Sequence, residues 1–187
     1  MGGVDLSRTH RAGYEPGRSY PVRALWLVVE ALVLLNPFIV SYGLKRWLLR
    51  RFGAGIGRGV LIKPGVHVKY PWRLTVGDSC WLGERAWLDN MEDVVLGANV
   101  VVSQGAYLCT GNHDWADPAM PLAPGPIRVE DGAWIGAFAK VGPGRTIAEG
   151  SVLSLGAVAL SDTEPWTIYA GNPAERIGMR VLTAPDA

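Results

Sequence analysis

Cysteine and histidine are scarce. Two cysteines, Cys80 and Cys109, in 187 residues cannot build a disulfide framework, and this usage suits a reducing cytoplasm. Three histidines, His10, His67 and His113, leave no cluster with metal-ligand spacing. Charge of one sign is missing too. Eighteen Lys and Arg against 17 Asp and Glu give a net +1, so nothing points to nucleic acid as a partner. A clean apolar run of membrane-spanning length is also lacking. The most apolar stretch, 24–40, is interrupted by Glu30, Asn36 and Pro37, where about twenty unbroken residues are wanted to span a bilayer. The polar leader before it is long and no small-x-small site follows it, which disfavours a signal peptide. These exclusions leave one domain, or one domain with a terminal appendage, expected in the cytoplasm.

What is present is a period of six. Ile, Val or Leu recurs at Ile56, Ile62 and Val68, at Val76, Leu82 and Leu88, and at Leu96, Val102 and Leu108. After a gap it resumes at Val129, Ile135, Val141, Ile147 and Leu153. Four residues later a small or modest side chain is usual, among them Cys80, Ala86, Ala106, Ala133, Ala139, Ser151 and Ala157. One residue later glycine recurs, as at Gly57, Gly77, Gly83, Gly97, Gly136 and Gly142. Such a period predicts an all-β solenoid: each unit is one short strand and one corner, three units close a coil, and both repeat residues point inward to stack between coils. Gly after the aliphatic residue is expected to help the backbone turn. Cys80 takes an inward place and reads as core filling. The count slips by two after Val68 and after Leu88, which predicts bulges at one vertex, and by far more after Leu108, which predicts a loop thrown out over 114–126. Long loops in repeat proteins usually carry function.

Three segments follow. Residues 1–52 are a polar leader (Met1–Pro21) and a helical part, 53–163 the β-helix, and 164–187 a C-terminal tail. In the helical part, Leu25, Val28, Leu32, Leu35 and Ile39 share one face, and 41–52 alternates Leu44, Trp47, Leu48 and Phe52 with Lys45, Arg46, Arg50 and Arg51. Two roles fit: a cap over the open end of the solenoid, or a helix pair lying on the inner face of the cell membrane through Trp26, Trp47 and the arginines.

His113 breaks the repeat. It stands in Leu108-Cys-Thr-Gly-Asn-His-Asp-Trp115 where the loop begins, and Asn112 fills a place the repeat gives to a small apolar residue. A local breach of a regular rule is where function is sought. By contrast His67 reads as an exposed corner residue, and His10, in the leader, has no role.

The hexapeptide period, Gly111-Asn-His-Asp114, the run Ile127-Arg-Val-Glu-Asp-Gly-Ala-Trp-Ile-Gly-Ala137 and the closing Tyr169-Ala-Gly-Asn-Pro-Ala174 together resemble the hexapeptide-repeat acyltransferases. Tyr70-Pro-Trp-Arg73, Trp87-Leu-Asp-Asn90, Ser103-Gln-Gly-Ala-Tyr-Leu-Cys-Thr110 and Trp166-Thr-Ile-Tyr169 look like the branch typified by colanic acid acetyltransferases. The resemblance implies a left-handed parallel β-helix, a homotrimer with its site shared between neighbours, and acetyl transfer from acetyl-coenzyme A without a metal. The implied acceptor is a sugar hydroxyl of a polysaccharide or of a glycolipid intermediate.

A thioester is already activated, so the enzyme must orient a hydroxyl and take its proton. An imidazole has the pKa range for that, which makes His113 the expected general base. By the same resemblance Asp89, Asn90 and Trp115 meet the acceptor, and Trp134, Gly136, Ala137, Gly156 and Ala157 line the pantetheine arm. Relatives often carry a basic residue before the terminal hairpin, but here the run is Ala159-Leu-Ser-Asp162. The 3′-phosphate then falls to Lys140, Arg145 or Arg176. Arg145 is odd in its own right, because it occupies a place where the repeat wants a small inward residue. Three alternatives remain: a zinc site of the β-helical carbonic anhydrase kind, for which His113 lacks a partner histidine; a non-catalytic scaffold; and a different acceptor, such as an antibiotic, serine or a nucleotide-sugar amine.

Overall fold

A computed structural model describes residues 3–9 and 14–183, so His10 lies outside the described residues. Three parallel sheets wrap a triangular coil. The first holds β1 (Gly55–Ile56), β4 (Leu74–Val76), β7 (Val94–Leu96), β10 (Ile127–Val129) and β13 (Thr146–Ile147). The second holds β2 (Leu61–Ile62), β5 (Trp81–Leu82), β8 (Val101–Val102), β11 (Trp134–Ile135), β14 (Val152–Leu153) and β16 (Thr167–Ala170), with β17 (Glu175–Met179) added antiparallel. The third holds β3 (His67–Val68), β6 (Trp87–Asp89), β9 (Tyr107–Cys109), β12 (Lys140–Val141) and β15 (Val158–Ala159).

The period-six aliphatic residues become three stacks. Ile56, Val76, Leu96, Val129 and Ile147 pair rung to rung in the first sheet. Ile62, Leu82, Val102, Ile135 and Leu153 do so in the second, which Tyr169 closes, and Val68, Leu88, Leu108 and Val141 in the third. All are buried, as is Cys80. Both two-residue slips and the long excursion leave from the same vertex, between the third sheet and the first. The coil also runs past residue 163: the expected tail, 164–187, carries β16, which continues the second sheet beside β14.

The glycine that recurs after the aliphatic residues has a different cause from the expected one. A Cβ on Gly77 would stand 2.6 Å from the backbone of Gly97, and one on Gly136 would stand 2.5 Å from the Leu153 carbonyl oxygen. These glycines let coils stack. The turning is done two residues further on, at positions of positive φ that Ser79, Arg85, Asn99 and Phe138 occupy as well as Gly.

Helix α1 (Tyr20–Val29) runs into a π-helical turn over Glu30–Leu34, and α2 (Tyr42–Arg51) follows. Both close the N-terminal end of the coil. In the second coil the carbonyls of Val76, Cys80, Leu82 and Leu88 accept from backbone N–H groups of the first. Their first-coil counterparts, Ile56, Val60, Ile62 and Val68, have no coil before them. Side chains meet all four: Arg50 on Ile56, Arg46 on Val60 at 2.7 Å, Lys45 on Ile62 at 3.3 Å and the Trp26 indole on Val68 at 2.8 Å. An unmet buried carbonyl costs about 1–3 kcal/mol, so the cap supplies hydrogen bonds as well as apolar cover from Leu34 and Leu49. Burial pushes the Lys45 ammonium below its usual range.

The outer side of the helices differs from expectation. Leu25, Val28, Leu32 and Leu35, the shared apolar face, are exposed, and Trp26, Glu30 and Leu34 turn inward instead. The leader does not stand free either. Trp72 donates to the Pro16 carbonyl, Arg73 to that of Glu15, and the Asp5 N–H to Pro118 in the excursion.

Candidate active site

The excursion folds back on itself. Ala123 N–H bonds the Asn112 carbonyl, Gly125 N–H that of Thr110, and His113 forms an antiparallel bridge with Leu122. Asp114 and Asp117 side chains accept from Ala116 and Ala119 N–H groups and close the tip as Asx turns. His113 therefore sits on a short hairpin. Its Nδ1 lies 2.6 Å from the Met120 carbonyl oxygen. A carbonyl only accepts, so Nδ1 carries the proton and the exposed Nε2 presents a lone pair. Trp115, two residues on, is 90% exposed.

Asp89 lies at the end of β6, one rung before Cys109. Its carboxylate is engaged: Lys69 Nζ stands 2.7 Å from Oδ1, and the Tyr107 hydroxyl donates to Oδ2 at 2.9 Å. Burial, then hydrogen bonds with Cys109 and Asp89, push that hydroxyl's pKa well above the usual tyrosine range. Asn90 is fully buried, with its amide bonded both ways to the Tyr70 backbone, Oδ1 accepting at 2.9 Å and Nδ2 donating at 2.6 Å. That withdraws the Asn90 side chain from the expected acceptor contacts and makes it a rung between coils.

Trp134 lies on the outer face of the second sheet, half-exposed, with its indole N–H 2.8 Å from Ser103 Oγ. It lines a cavity of about 520 Å³ with Trp81, Ser103 and Arg180. Ala137 and Gly156 meet at the vertex between the second and third sheets, where Gly156 N–H bonds the Ala137 carbonyl. Ala157 is fully buried with its N–H and carbonyl both paired inside the solenoid, so its side chain cannot line a ligand. Gly136 is buried as well and is glycine for coil stacking. Lys140 is exposed on the third sheet beside Tyr107. Arg176 pairs with Glu164 at 3.0 Å. Arg145 turns outward from its inward place to approach Asp162 and the Pro143 carbonyl.

A single chain thus gathers only part of the expected set. His113, Asp89 and Lys140 share the side of the third sheet, whereas Trp134 faces out from the second. Two features escaped sequence reasoning. His67 is no bare corner: its Nδ1 stands 2.6 Å from the Glu30 carboxylate, which is buried and also accepts the Val68 N–H. No local signal joins residues 37 positions apart. Tyr107 on Asp89 could have been suspected, because both lie at strand positions of the repeat in adjacent coils.

Solved structures share this architecture. The acetyl-coenzyme A complex of a hexapeptide-repeat acetyltransferase from Vibrio cholerae superposes with a TM-score of 0.79 at 20% identity, over 93% of this chain and 97% of that one. A maltose O-acetyltransferase from Clostridium difficile does so with 0.75 at 21%, over 88% and 90%. The class is the left-handed β-helix built of hexapeptide repeats. No family model matches the chain. In sequence it is 35% identical over 171 residues to a protein of Escherichia coli (strain K12) named as a colanic acid biosynthesis acetyltransferase, covering 91% of this chain and 93% of that protein. The chain belongs to that family of hexapeptide-repeat acetyltransferases, enzymes whose acetyl donor is acetyl-coenzyme A.

Proposed function

We propose that this enzyme acetylates a sugar hydroxyl of a polysaccharide or glycolipid intermediate, with His113 as general base, in a homotrimer whose active sites lie between subunits. The observation that carries the base assignment is the Nδ1 hydrogen bond to the Met120 carbonyl, which leaves Nε2 free at an exposed edge. As the acceptor oxygen attacks the thioester carbonyl carbon, its proton passes to Nε2. The tetrahedral oxyanion collapses, the C–S bond breaks, and the imidazolium returns the proton to the coenzyme A thiolate. Trp115 is the acceptor contact on the hairpin. Asp89, held by Lys69 and Tyr107, lies one coil before it. Trp134, Ala137 and Gly156 line the pantetheine arm, and Lys140, with no ion pair among the described residues, meets the 3′-phosphate in preference to the paired Arg176.

The trimer is supported by the outer face of the second sheet, where Trp81 and Trp134 are half-exposed among the described residues, and by the separation of Trp134 from His113 within one chain. Cytoplasmic residence, with reversible attachment to the inner membrane face through 20–52, belongs to the same proposal. No helix among the described residues is long and apolar enough to cross a membrane, while Leu25, Val28, Leu32, Phe38 and Trp47 are exposed together on the cap. Arg46 and Arg50 are engaged by the coil, so Arg51 and Arg18 remain for headgroups. A panel of sugar, antibiotic and amino acid acceptors, scored for acetyl-coenzyme A-dependent thiol release, tests the acceptor class. Release with sugars alone is expected; release with serine or chloramphenicol and with no sugar overturns it.

A further inference from the structure

The hairpin that carries His113 has little packing to fix it. His113, Asp114, Trp115, Ala116, Asp117 and Pro118 are all exposed, and a two-stranded hairpin alone is marginally stable in water. The Asx turns at Asp114 and Asp117 shape its tip without tying the tip to another segment. Three consecutive carbonyls there each accept one hydrogen bond. Pro118 receives the Asp5 N–H at 2.9 Å, Ala119 the Thr9 hydroxyl at 2.5 Å, and Met120 the His113 Nδ1–H at 2.6 Å. The first two donors belong to the leader. Among the described residues, no other segment outside the excursion hydrogen-bonds to 114–120.

Local structure in the leader sets up this contact. A single 3-10 turn over Leu6–Arg8 separates the two donors, so residues four apart reach neighbouring carbonyls. The Asp5 carboxylate accepts from the Ser7 N–H at 3.1 Å and from its hydroxyl at 2.6 Å, and the Thr9 N–H closes the turn on the Leu6 carbonyl. On the receiving side, Met120 holds φ at 44°, left-handed backbone that a side chain other than glycine keeps only where its surroundings impose it. Its own N–H is bound to the Asp117 carbonyl, and the leader holds the two residues before it. The direction of the Met120 carbonyl, and with it the His113 ring, then depends on the leader.

We infer that the leader is a clasp that positions the general base, with Thr9 as a positioning residue acting through Ala119 and Met120 and not by contact with the acceptor. The inference rests on the proposal that His113 takes the acceptor's proton, and it adds a residue 110 positions from the carbonyl it holds. One part-buried hydrogen bond is too little to shift the unfolding of the whole solenoid. It is enough to move a base out of line with the proton it must take.

Thr9→Val keeps the side-chain shape and removes the donor, whereas Thr9→Ser keeps the donor. Nitrogen-15 spectra of the intact protein without substrates read the ring directly, with the His113 signals identified by their loss in His113→Ala. The Nδ1–H tautomer should predominate in the unaltered protein and in Thr9→Ser, and give way to a mixture in Thr9→Val. With the best sugar of the acceptor panel, Thr9→Val should lower kcat about three- to tenfold, the worth of one hydrogen bond, and Thr9→Ser should restore it. The KM for acetyl-coenzyme A and the thermal midpoint should hold in both. An unchanged His113 spectrum in Thr9→Val, an unchanged kcat, a loss that Thr9→Ser does not recover, or a loss matched by a lower thermal midpoint overturns the inference. Because the spectra need no turnover, the two readings separate. A His113→Ala protein of near wild-type rate, beside a tautomer that still depends on Thr9, sinks the general base and not the clasp.

Discussion

Two asparagines in adjacent coils, Asn90 and Asn112, show what a residue's neighbours decide. Asn112 lies where the chain leaves the coil and is exposed, whereas Asn90 is buried and holds the Tyr70 backbone in both directions. In a β-helix, inward and outward places alternate one residue apart, so sequence marks an unusual residue without saying which way it serves. His113 stands out in the sequence because it breaks a repeat. Ala157 and Gly136 were misleading, because small residues that let coils stack look the same as small residues that admit a ligand. Asn90→Ala should therefore act on stability and not on acceptor affinity. Two hydrogen bonds vanish and part-buried Tyr70 backbone groups go unpaired, a loss of roughly 2–4 kcal/mol. Thermal unfolding should show a clear drop in midpoint with the acceptor KM kept; an unchanged midpoint with a raised KM would return Asn90 to the acceptor set.

At the scale of elements, the period of six predicted the strands, their inward residues and the common vertex of the insertions, because coil stacking imposes a side-chain rule on every rung. The hairpin within the excursion and the leader's attachment to it were not legible, since they depend on isolated hydrogen bonds between distant segments. The basic residues of α2 carry a further lesson. An amphipathic helix rich in arginine suggests a lipid surface, but Lys45, Arg46 and Arg50 point back to meet the open carbonyls of the first coil. Arg46→Ala and Arg50→Ala should each cost about 1–3 kcal/mol, seen as a lower thermal midpoint, whereas Arg51→Ala should change it little. Equal small effects at all three would mean that water satisfies those carbonyls as well as the helix does.

At the scale of the whole molecule, the described residues of this short solenoid expose apolar side chains on the outer face of the second sheet and on the outer side of the helical cap. They call for different partners. The sheet face should close a trimer, so sedimentation should find three chains, with an active monomer as the contrary result. The cap should bind vesicles of anionic lipid at low salt. Phe38→Glu and Leu32→Glu, both at exposed positions, should abolish this without lowering the thermal midpoint. No association of the unaltered protein at low salt would leave the helices as a cap alone.

The central claim is that one imidazole on the excursion hairpin takes the acceptor's proton. Its most direct test is turnover of His113→Ala on the sugar acceptor at saturating acetyl-coenzyme A, beside calorimetric binding of coenzyme A. The account predicts unchanged coenzyme A affinity with a rate lower by roughly two to four orders of magnitude. A near wild-type rate in a folded variant would contradict it.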